Sequence, residues 1–282
     1  NVYIAPAMNT NMWMDKGTQD NYQKLLSRNY TFIGPADGEQ ACGDVGPGRM
    51  VEPNDIIDLI ISSLKNGPLT NKIVTITAGP TREQIDPVRF ISNNSSGKMG
   101  YSIAEAALEL GAKVNLVSGP VSLKADKSIN LIKVNSANQM LESVMNCMSD
   151  SDIFIGCAAV SDFKPSDYSE SKIKKDSADN LDIKLEKNKD ILSIVSDKFP
   201  TAYVVGFAAE TSNVKENAKS KLISKNLNMI ISNDVSDKSI GFDVDENEVN
   251  VITKDEIIFL KRDKKIRIAR NVLNTIAAQI NN

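Results

Sequence analysis

KIVTITAGPTREQIDPVRFISNNSSGKMGYSIAEAALELGAKVNLVSGP, residues 72–120, decides how the rest of the chain is read. Lys72–Thr77 is a short β-branched run that ends at Ala78-Gly79-Pro80, which predicts a buried strand meeting a turn. Met99, Ile103, Ala106, Ala107 and Leu110 then recur at helical spacing, and Gly111 stops that helix. Lys113–Ser118 follows at once as a second strand. A strand–loop–helix–strand unit of this length implies a parallel pair.

The loop between the first strand and the helix carries Arg82, Asp86 and Arg89, then Ser92-Asn93-Asn94-Ser95-Ser96-Gly97-Lys98. Hydroxyls, amides, a glycine and a lysine just before a helix N-terminus suit an anion, because unpaired N–H groups and the helix dipole favour phosphate or carboxylate there. Ordinary capping by Ser95 or Ser96, with Gly97 permitting the turn, is the simpler reading. It leaves the length of the loop and its two arginines unexplained, which favours a ligand site.

Downstream, a helix is expected at about Ala137–Met148 and a strand at Ile153–Ala159, which delivers Gly156 to Phe163 to the carboxyl end of the sheet. Lys164 to Asn180 is a polar loop holding Lys172-Ile173-Lys174-Lys175. A short helix (Lys189–Asp197), a strand (Tyr203–Ala209), a helix (Ser212–Asn226) and a strand (Met229–Ser232) come next. A hairpin, Val249–Thr253 with Ile257–Leu260, precedes a final helix, about Lys265–Gln279, that turns Ile266, Ile268, Val272, Leu273 and Ile276 inward. Five βα repeats in series predict a doubly wound, Rossmann-like parallel sheet with a C-terminal hairpin.

Upstream, residues 1–65 read as a strand (Val2–Ile4), a helix from Asn9 to about Leu26, a strand (Tyr30–Ile33), a glycine-rich loop Ala41–Met50 and a helix (Ile56–Leu64). The loop holds Cys42 and Arg49 among three glycines, which suggests a mobile flap over a ligand, although a lone cysteine is more often a small buried residue. Too few strands are present for a complete sheet. Residues 66–71 (NGPLTN) are the expected linker. The start at Asn1, directly on an apolar run, is that expected of the tail end of a larger protein.

Composition narrows the chemistry. Of 282 residues 41% are hydrophobic and 24% charged, values of a soluble globular protein large enough for two modest domains. A formal net charge of −3 argues against generic nucleic-acid binding. No apolar run approaches the ~20 residues that span a bilayer. The three cysteines stand at unrelated spacings and give neither a disulfide framework nor a metal knuckle, so a reducing cytoplasm is the expected location. The chain has no histidine, which excludes Ser–His–Asp and Cys–His catalysis and His-ligated metals within it. Acid–base work falls to Lys, Asp, Glu, Tyr or Cys.

A nicotinamide-dependent dehydrogenase of the short-chain type also suits this fold, and Tyr168 and Lys172 stand in Tyr-x-x-x-Lys spacing. Against it, the first βα turn has one glycine, Gly79, the second strand ends in Ser118-Gly119-Pro120 without an acidic residue, and the Tyr/Lys pair lies in a loop. A P-loop fails because Gly97-Lys98 is followed by Met99. A non-catalytic nucleotide-binding module stays open on the residues alone.

PAMNTNMW (6–13), ACGDVGPGRM (41–50), ITAGPTREQIDPVRFISNNSSGKMG, AAVSDFKP, KIKK, VVGFAAET and ISNDVS closely resemble, in matching order, the bacterial bifunctional coenzyme A biosynthesis family. There a flavin-dependent phosphopantothenoylcysteine decarboxylase, a flavodoxin-like α/β domain, precedes phosphopantothenate–cysteine ligase. The resemblance implies that residues 72–282 are the ligase and residues 1–65 the last part of the decarboxylase. It implies ligation of cysteine to 4′-phosphopantothenate through an acyl-cytidylate, with CTP and Mg²⁺, the metal held mainly by the triphosphate, its protein ligands unspecified. The resemblance implies roles for Asn93 and Lys172 in forming and consuming the acyl-cytidylate. It places Gly156, Cys157, Ala158, Asp162, Lys189, Asp190, Ile191, Leu192 and Phe207 around the cytidine, and Lys221 and Lys225 on the triphosphate. Lys189 stands where the family pattern has proline. In the decarboxylase part Asn9 matches a substrate-carboxylate contact and Cys42 the proton donor. The family's essential histidine and most of its FMN site are expected upstream of Asn1, so these residues alone are not expected to decarboxylate. A ligase homodimer, a larger assembly of the intact protein, and no nucleic-acid or membrane partner are also implied.

Overall fold

The computed structural model describes residues 2–40, 43–65, 67–174, 181–210, 214–234 and 244–280. They form two compact units, 1–66 and 67–282.

In the smaller unit β1 (Tyr3–Ile4) pairs in parallel with β2 (Thr31–Phe32). The expected single helix is two, α1 (Thr10–Met14) and α2 (Lys16–Leu26). Asp15 divides them: its side chain accepts from the Gly17 and Thr18 N–H groups and caps α2, the local competition by which aspartate interrupts a helix. The glycine-rich loop is a correction. Val45–Arg49 forms β4, which pairs antiparallel with β3 (Ala36–Glu39) as a hairpin. Pro47 is tolerated because the hairpin has only two strands and one edge needs no donor. Cys42, assigned to that loop, lies outside the described residues. Helix α3 (Pro53–Lys65) ends the unit.

The larger unit begins before Lys72. Leu69, inside the expected linker, is fully buried, and its N–H donates to the Leu110 carbonyl (3.0 Å). The decisive stretch then runs β5 (Ile73–Ala78), β6 (Arg82–Gln84), β7 (Phe90–Ser92), α4 (Lys98–Glu109) and β8 (Lys113–Ser118). The long loop therefore contains a hairpin, β6 with β7. Two elements follow: β9 (Asn130–Lys133), which the sequence reading missed, and α5 (Ala137–Met148), whose start is a Ser136/Gln139 capping box. The chain continues with β10 (Ile153–Gly156), a second hairpin of β11 (Phe163–Pro165) and β12 (Leu185–Lys187), α6 (Ile191–Lys198) and β13 (Tyr203–Glu210). Last come α7 (Val214–Ser224), β14 (Met229–Asp234), β15 (Glu246–Ile252), β16 (Ile257–Lys264) and α8 (Lys265–Ile280).

Eight strands make one sheet in the order β16-β15-β14-β13-β10-β5-β8-β9. The six from β14 to β9 are parallel, and β15 and β16 run antiparallel at one edge. That is one more parallel strand than five βα repeats supply. Each face is covered. Ile103, Ala107, Val272 and Ile276 of α4 and α8 pack on one side, and Met140, Val144, Val195 and Leu222 of α5, α6 and α7 on the other. Winding turns back at β5, whose two neighbours are β8 and β10, so the crevice at a switch point opens above the carboxyl ends of β5 and β10.

Three glycines shape that end. Gly79 and Gly97 both have positive φ (74° and 77°), and a Cβ on Gly97 would lie 3.5 Å from Gly79, so the excursion from β5 returns to its own root. Gly100 lets α4 settle on the strand, since a Cβ there would come within 2.6 Å of Ala78. The turn, close-approach and helix-packing tasks of a dinucleotide fingerprint are thus divided across an inserted hairpin.

Candidate functional site

Two cavities of about 550 Å³ and 520 Å³ lie side by side over the strand ends. Ala158, Val160, Asp162, Phe207 and Lys221 belong to both. The shared wall is the segment after β10, and two buried threonines hold it: Thr77 Oγ1 accepts from the Ala158 N–H (3.2 Å) and Thr81 Oγ1 from the Ser161 N–H (3.0 Å). The Asn93 side-chain amide donates to the Val160 carbonyl (3.0 Å), which ties the serine-rich loop to the same wall.

The first cavity is bounded by Gly156, Lys189, Asp190, Ile191, Leu192 and Lys225, all marked from sequence. Gly156 and Gly206 are cross-strand partners on β10 and β13, and together they form a flat seat for Leu192. A Cβ on either would meet the leucine, at 2.9 Å and 3.3 Å. Asp190 caps α6 by accepting from the Ser193 N–H and pairs with Lys225 at 2.8 Å. Partial burial alone would raise its pKa, but the Lys225 and Ser193 hydrogen bonds outweigh that and hold it below the ordinary 3.8. Ser196 Oγ donates to the Lys225 carbonyl (2.7 Å), fastening the end of α7 to α6.

A carboxyl depressed in the folded state stabilises above its unfolded pKa and loses that contribution as pH falls through the folded value. Asp190→Asn keeps a capping side chain and removes the charge. We expect a cost below about 1 kcal/mol at pH 7, small because the pair is partly solvated. The difference from wild type should shrink as pH falls below 3.8 and through the folded value, as read from urea midpoints along that descent; a gap that does not diminish on acidification would refute the assignment.

Asn188 and Ser161, neither marked from sequence, also bound this cavity, with Asn188 Nδ2 donating to the Ser161 carbonyl (2.8 Å). Among the described residues, Ser161 Oγ and Asn188 Oδ1 are buried without a partner. Such pairs are hard to find in sequence because Ser161 and Asn188 meet only through the β11–β12 hairpin.

The second cavity takes Asn93 to Gly100, Cys157, Asn233, Asn247 and Lys265. Neither Ser95 nor Ser96 is the N-cap of α4: that residue is Gly97, and it makes no side-chain cap hydrogen bond. The helix dipole therefore points into the cavity at its positive end. Lys98 pairs with Asp245 at 2.8 Å. Lys265, only 5% exposed, donates to the Val244 carbonyl and adds a buried positive charge at this wall beside the half-buried Lys98. It was missed because the first residue of an amphipathic helix normally faces water. Burial pushes the Cys157 thiol up to about 12, against a smaller opposing pull from Lys265, so at neutral pH Cys157 is a protonated wall and not a nucleophile.

The two loop arginines are placed differently from the sequence reading. Arg82 lies over the Phe90 ring at 4.6 Å, and Arg89 pairs with the buried Asp86 at 3.6 Å; neither lines either of these two cavities. Lys172 is exposed and lines neither cavity. In the smaller unit Asn9 caps α1, accepting from the Asn11 N–H (2.8 Å) and donating to Asp44 (2.7 Å).

Comparison with known proteins accounts for both units. Residues 69–280 match the family described as DNA/pantothenate metabolism flavoprotein C-terminal domain, and residues 1–65 match the flavoprotein family. The chain is similar to the coenzyme A biosynthesis bifunctional protein CoaBC of Vibrio vulnificus, 46% identical over 277 residues that cover 98% of this chain and 69% of that protein. The same protein of Escherichia coli K12 is 44% identical over 282 residues, covering 99% and 70%. The crystal structure of a CoaBC C-terminal domain superposes with a TM-score of 0.66 at 41% identity, covering 76% of this chain and 98% of that one. The chain belongs to the family of coenzyme A biosynthesis bifunctional proteins.

Proposed function

We propose that residues 72–282 are a phosphopantothenate–cysteine ligase that uses CTP. The pairing of two cavities across one wall carries this reading: each is cationic, and their common lining lets two bound anions meet. The first has Lys187, Lys189, Lys221 and Lys225. The second has the uncapped start of α4 with Lys98 and Lys265.

The nucleotide would occupy the first cavity, its base and ribose against Gly156 to Ala158, Asp162, Lys189 to Leu192 and Phe207, and its triphosphate against Lys221 and Lys225. 4′-Phosphopantothenate would occupy the second. Its carboxylate oxygen attacks the α-phosphorus, an O–P bond forms, and pyrophosphate leaves. The cysteine amine then attacks the acyl carbon, loses a proton, and displaces CMP. Lysines and helix N–H groups offset the repulsion of two anions and the charge that develops on the leaving phosphates. Asn93 stands on the wall where the substrates would meet, and Lys172 would approach the nucleotide from its loop. Among the described residues no group of three metal-ligating side chains exists, and Asp190 is occupied by Lys225. Mg²⁺ would therefore be held mainly by the triphosphate, where it would neutralise charge.

Residues 1–65 belong to the decarboxylase part, in which Asn9 would contact substrate and Cys42 would donate a proton. FMN would serve this part, whose sequence matches the flavoprotein family. Exposed Val88, Phe90, Phe163 and Leu185, on the two adjacent hairpins β6–β7 and β11–β12, favour a homodimer through the ligase part. No helix of the described residues is long and apolar enough to cross a membrane, and the cytoplasm is the proposed location. The dehydrogenase reading is not supported: Tyr168 and Lys172 lie on an irregular segment outside both cavities.

The test is pyrophosphate release with 4′-phosphopantothenate, comparing CTP with ATP, with and without cysteine. Release that requires 4′-phosphopantothenate and CTP, followed by CMP and amide once cysteine is added, is the expected result. A preference for ATP would overturn the nucleotide assignment, and no release with either would overturn the ligase.

A further inference from the structure

The Asp86 carboxylate is fully buried yet lines neither cavity. Its Oδ1 accepts from the Val88 and Arg89 N–H groups, both at 2.8 Å, and closes its own turn. Its Oδ2 looks outward and accepts from the Ile173 N–H at 3.2 Å. Arg89, paired with that carboxylate, donates from Nη2 to the Ile173 carbonyl at 2.7 Å. Both polar groups of Ile173 are therefore held by one turn. A third tie, from the Ser169 N–H to the Ile85 carbonyl (3.0 Å), lies four residues earlier. Between these ties the chain has neither helix nor strand, so the 85–89 turn supplies what secondary structure does not.

We propose that Asp86 is a positioning residue for Lys172: by gripping the Ile173 peptide it fixes the backbone from which the lysine reaches the nucleotide. The inference rests on the reading of Lys172 as a nucleotide contact. An exposed lysine has a long flexible stem, so where its head can go is decided by where its Cα is anchored. Misplacement of a reacting group by about 1 Å can cost a hundredfold in rate. A carboxylate that merely closed its own turn would need one oxygen; the second accepts from the Ile173 N–H and faces Arg89, which itself holds the Ile173 carbonyl.

Asp86→Asn separates the two tasks. The amide oxygen still closes the turn, while the NH₂ faces the Ile173 N–H, donor against donor. In the whole protein we expect cysteine-dependent CMP release to slow about tenfold to a hundredfold with little change in KM for 4′-phosphopantothenate. Because Asp86 acts through Lys172, the double variant with Lys172→Ala should be no slower than Lys172→Ala alone. Trypsin should also cut after Lys172 faster in Asp86→Asn than in wild type at equal global stability. Multiplicative rate losses, or unchanged cleavage, would overturn the proposal. If Lys172→Ala alone leaves the rate intact, the reading of Lys172 falls, while the cleavage result still judges the grip. Should Asp86→Asn fail to fold, Arg89→Lys keeps a cation beside the carboxylate but loses the Nη2 donor to the Ile173 carbonyl, leaves the 172–173 backbone chemically unchanged, and is expected to give the same non-additive loss; a multiplicative loss there overturns the proposal equally.

Discussion

Asn93→Asp is expected to lower the ligase turnover by about 10²–10³-fold while changing stability by less than about 1 kcal/mol. The side-chain amide donates to the Val160 carbonyl on the wall common to both cavities. A carboxylate in the same place has no hydrogen to give, so it sets oxygen against oxygen. It also brings a negative charge to the point where a carboxylate must approach a triphosphate. Neither effect reaches the core, since Asn93 is exposed, which is why folding should be nearly untouched. Steady-state pyrophosphate release and a urea titration measure the two halves of this expectation. Turnover within threefold of wild type would reduce Asn93 to a loop tie.

Phe154→Ala is expected to cost about 3–5 kcal/mol of folding stability. Phe154 is fully buried on β10, in the middle of the sheet, and packs in the cluster that includes Met140, Val144 and Val195. Its ring edge also reaches the first cavity beneath Gly156. Truncation therefore opens a void under the nucleotide wall as well as removing apolar contact, and KM for the nucleotide should rise in whatever protein still folds. Phe259→Ala, on the edge strand β16 with 52% exposure, is the matched control and should stay near 0.5 kcal/mol. Similar urea midpoints for both variants would sink the packing account.

What could be read from sequence followed local pattern. Lys72–Thr77, the α4 spacing and Lys113–Ser118 are strong because β-branched runs and a helical stripe leave little choice, and each is found in the structure, the first displaced by one residue as Ile73–Ala78. The extra strand Asn130–Lys133 escaped because it is a four-residue edge with only Leu131 and Ile132 turned inward. The β6–β7 hairpin escaped because three-residue strands carry no periodicity. Val45–Arg49 contradicts its own propensity, which a two-stranded hairpin allows. The cavity residues named from sequence came from motif resemblance, and residues such as Asn188 and Lys265 did not, since tertiary packing alone brings them to the wall. The two arginines misled for the same reason: a charge near a ligand loop and a charge holding that loop together look alike in one dimension.

The strand order bears on how the molecule is made. From β5 the sheet grows outward on one side through β8 and β9, and its later strands β10, β13, β14, β15 and β16 add to the other side in the order of synthesis, with β11 and β12 set apart as their own hairpin. No strand has to be inserted between two already paired, so the sheet can assemble as the chain leaves the ribosome. One edge is left waiting, however. Until residues 153–156 have emerged, the open side of β5, with its buried Val74 and Ile76, has no partner, and it is the segment that a nascent neighbour would find first.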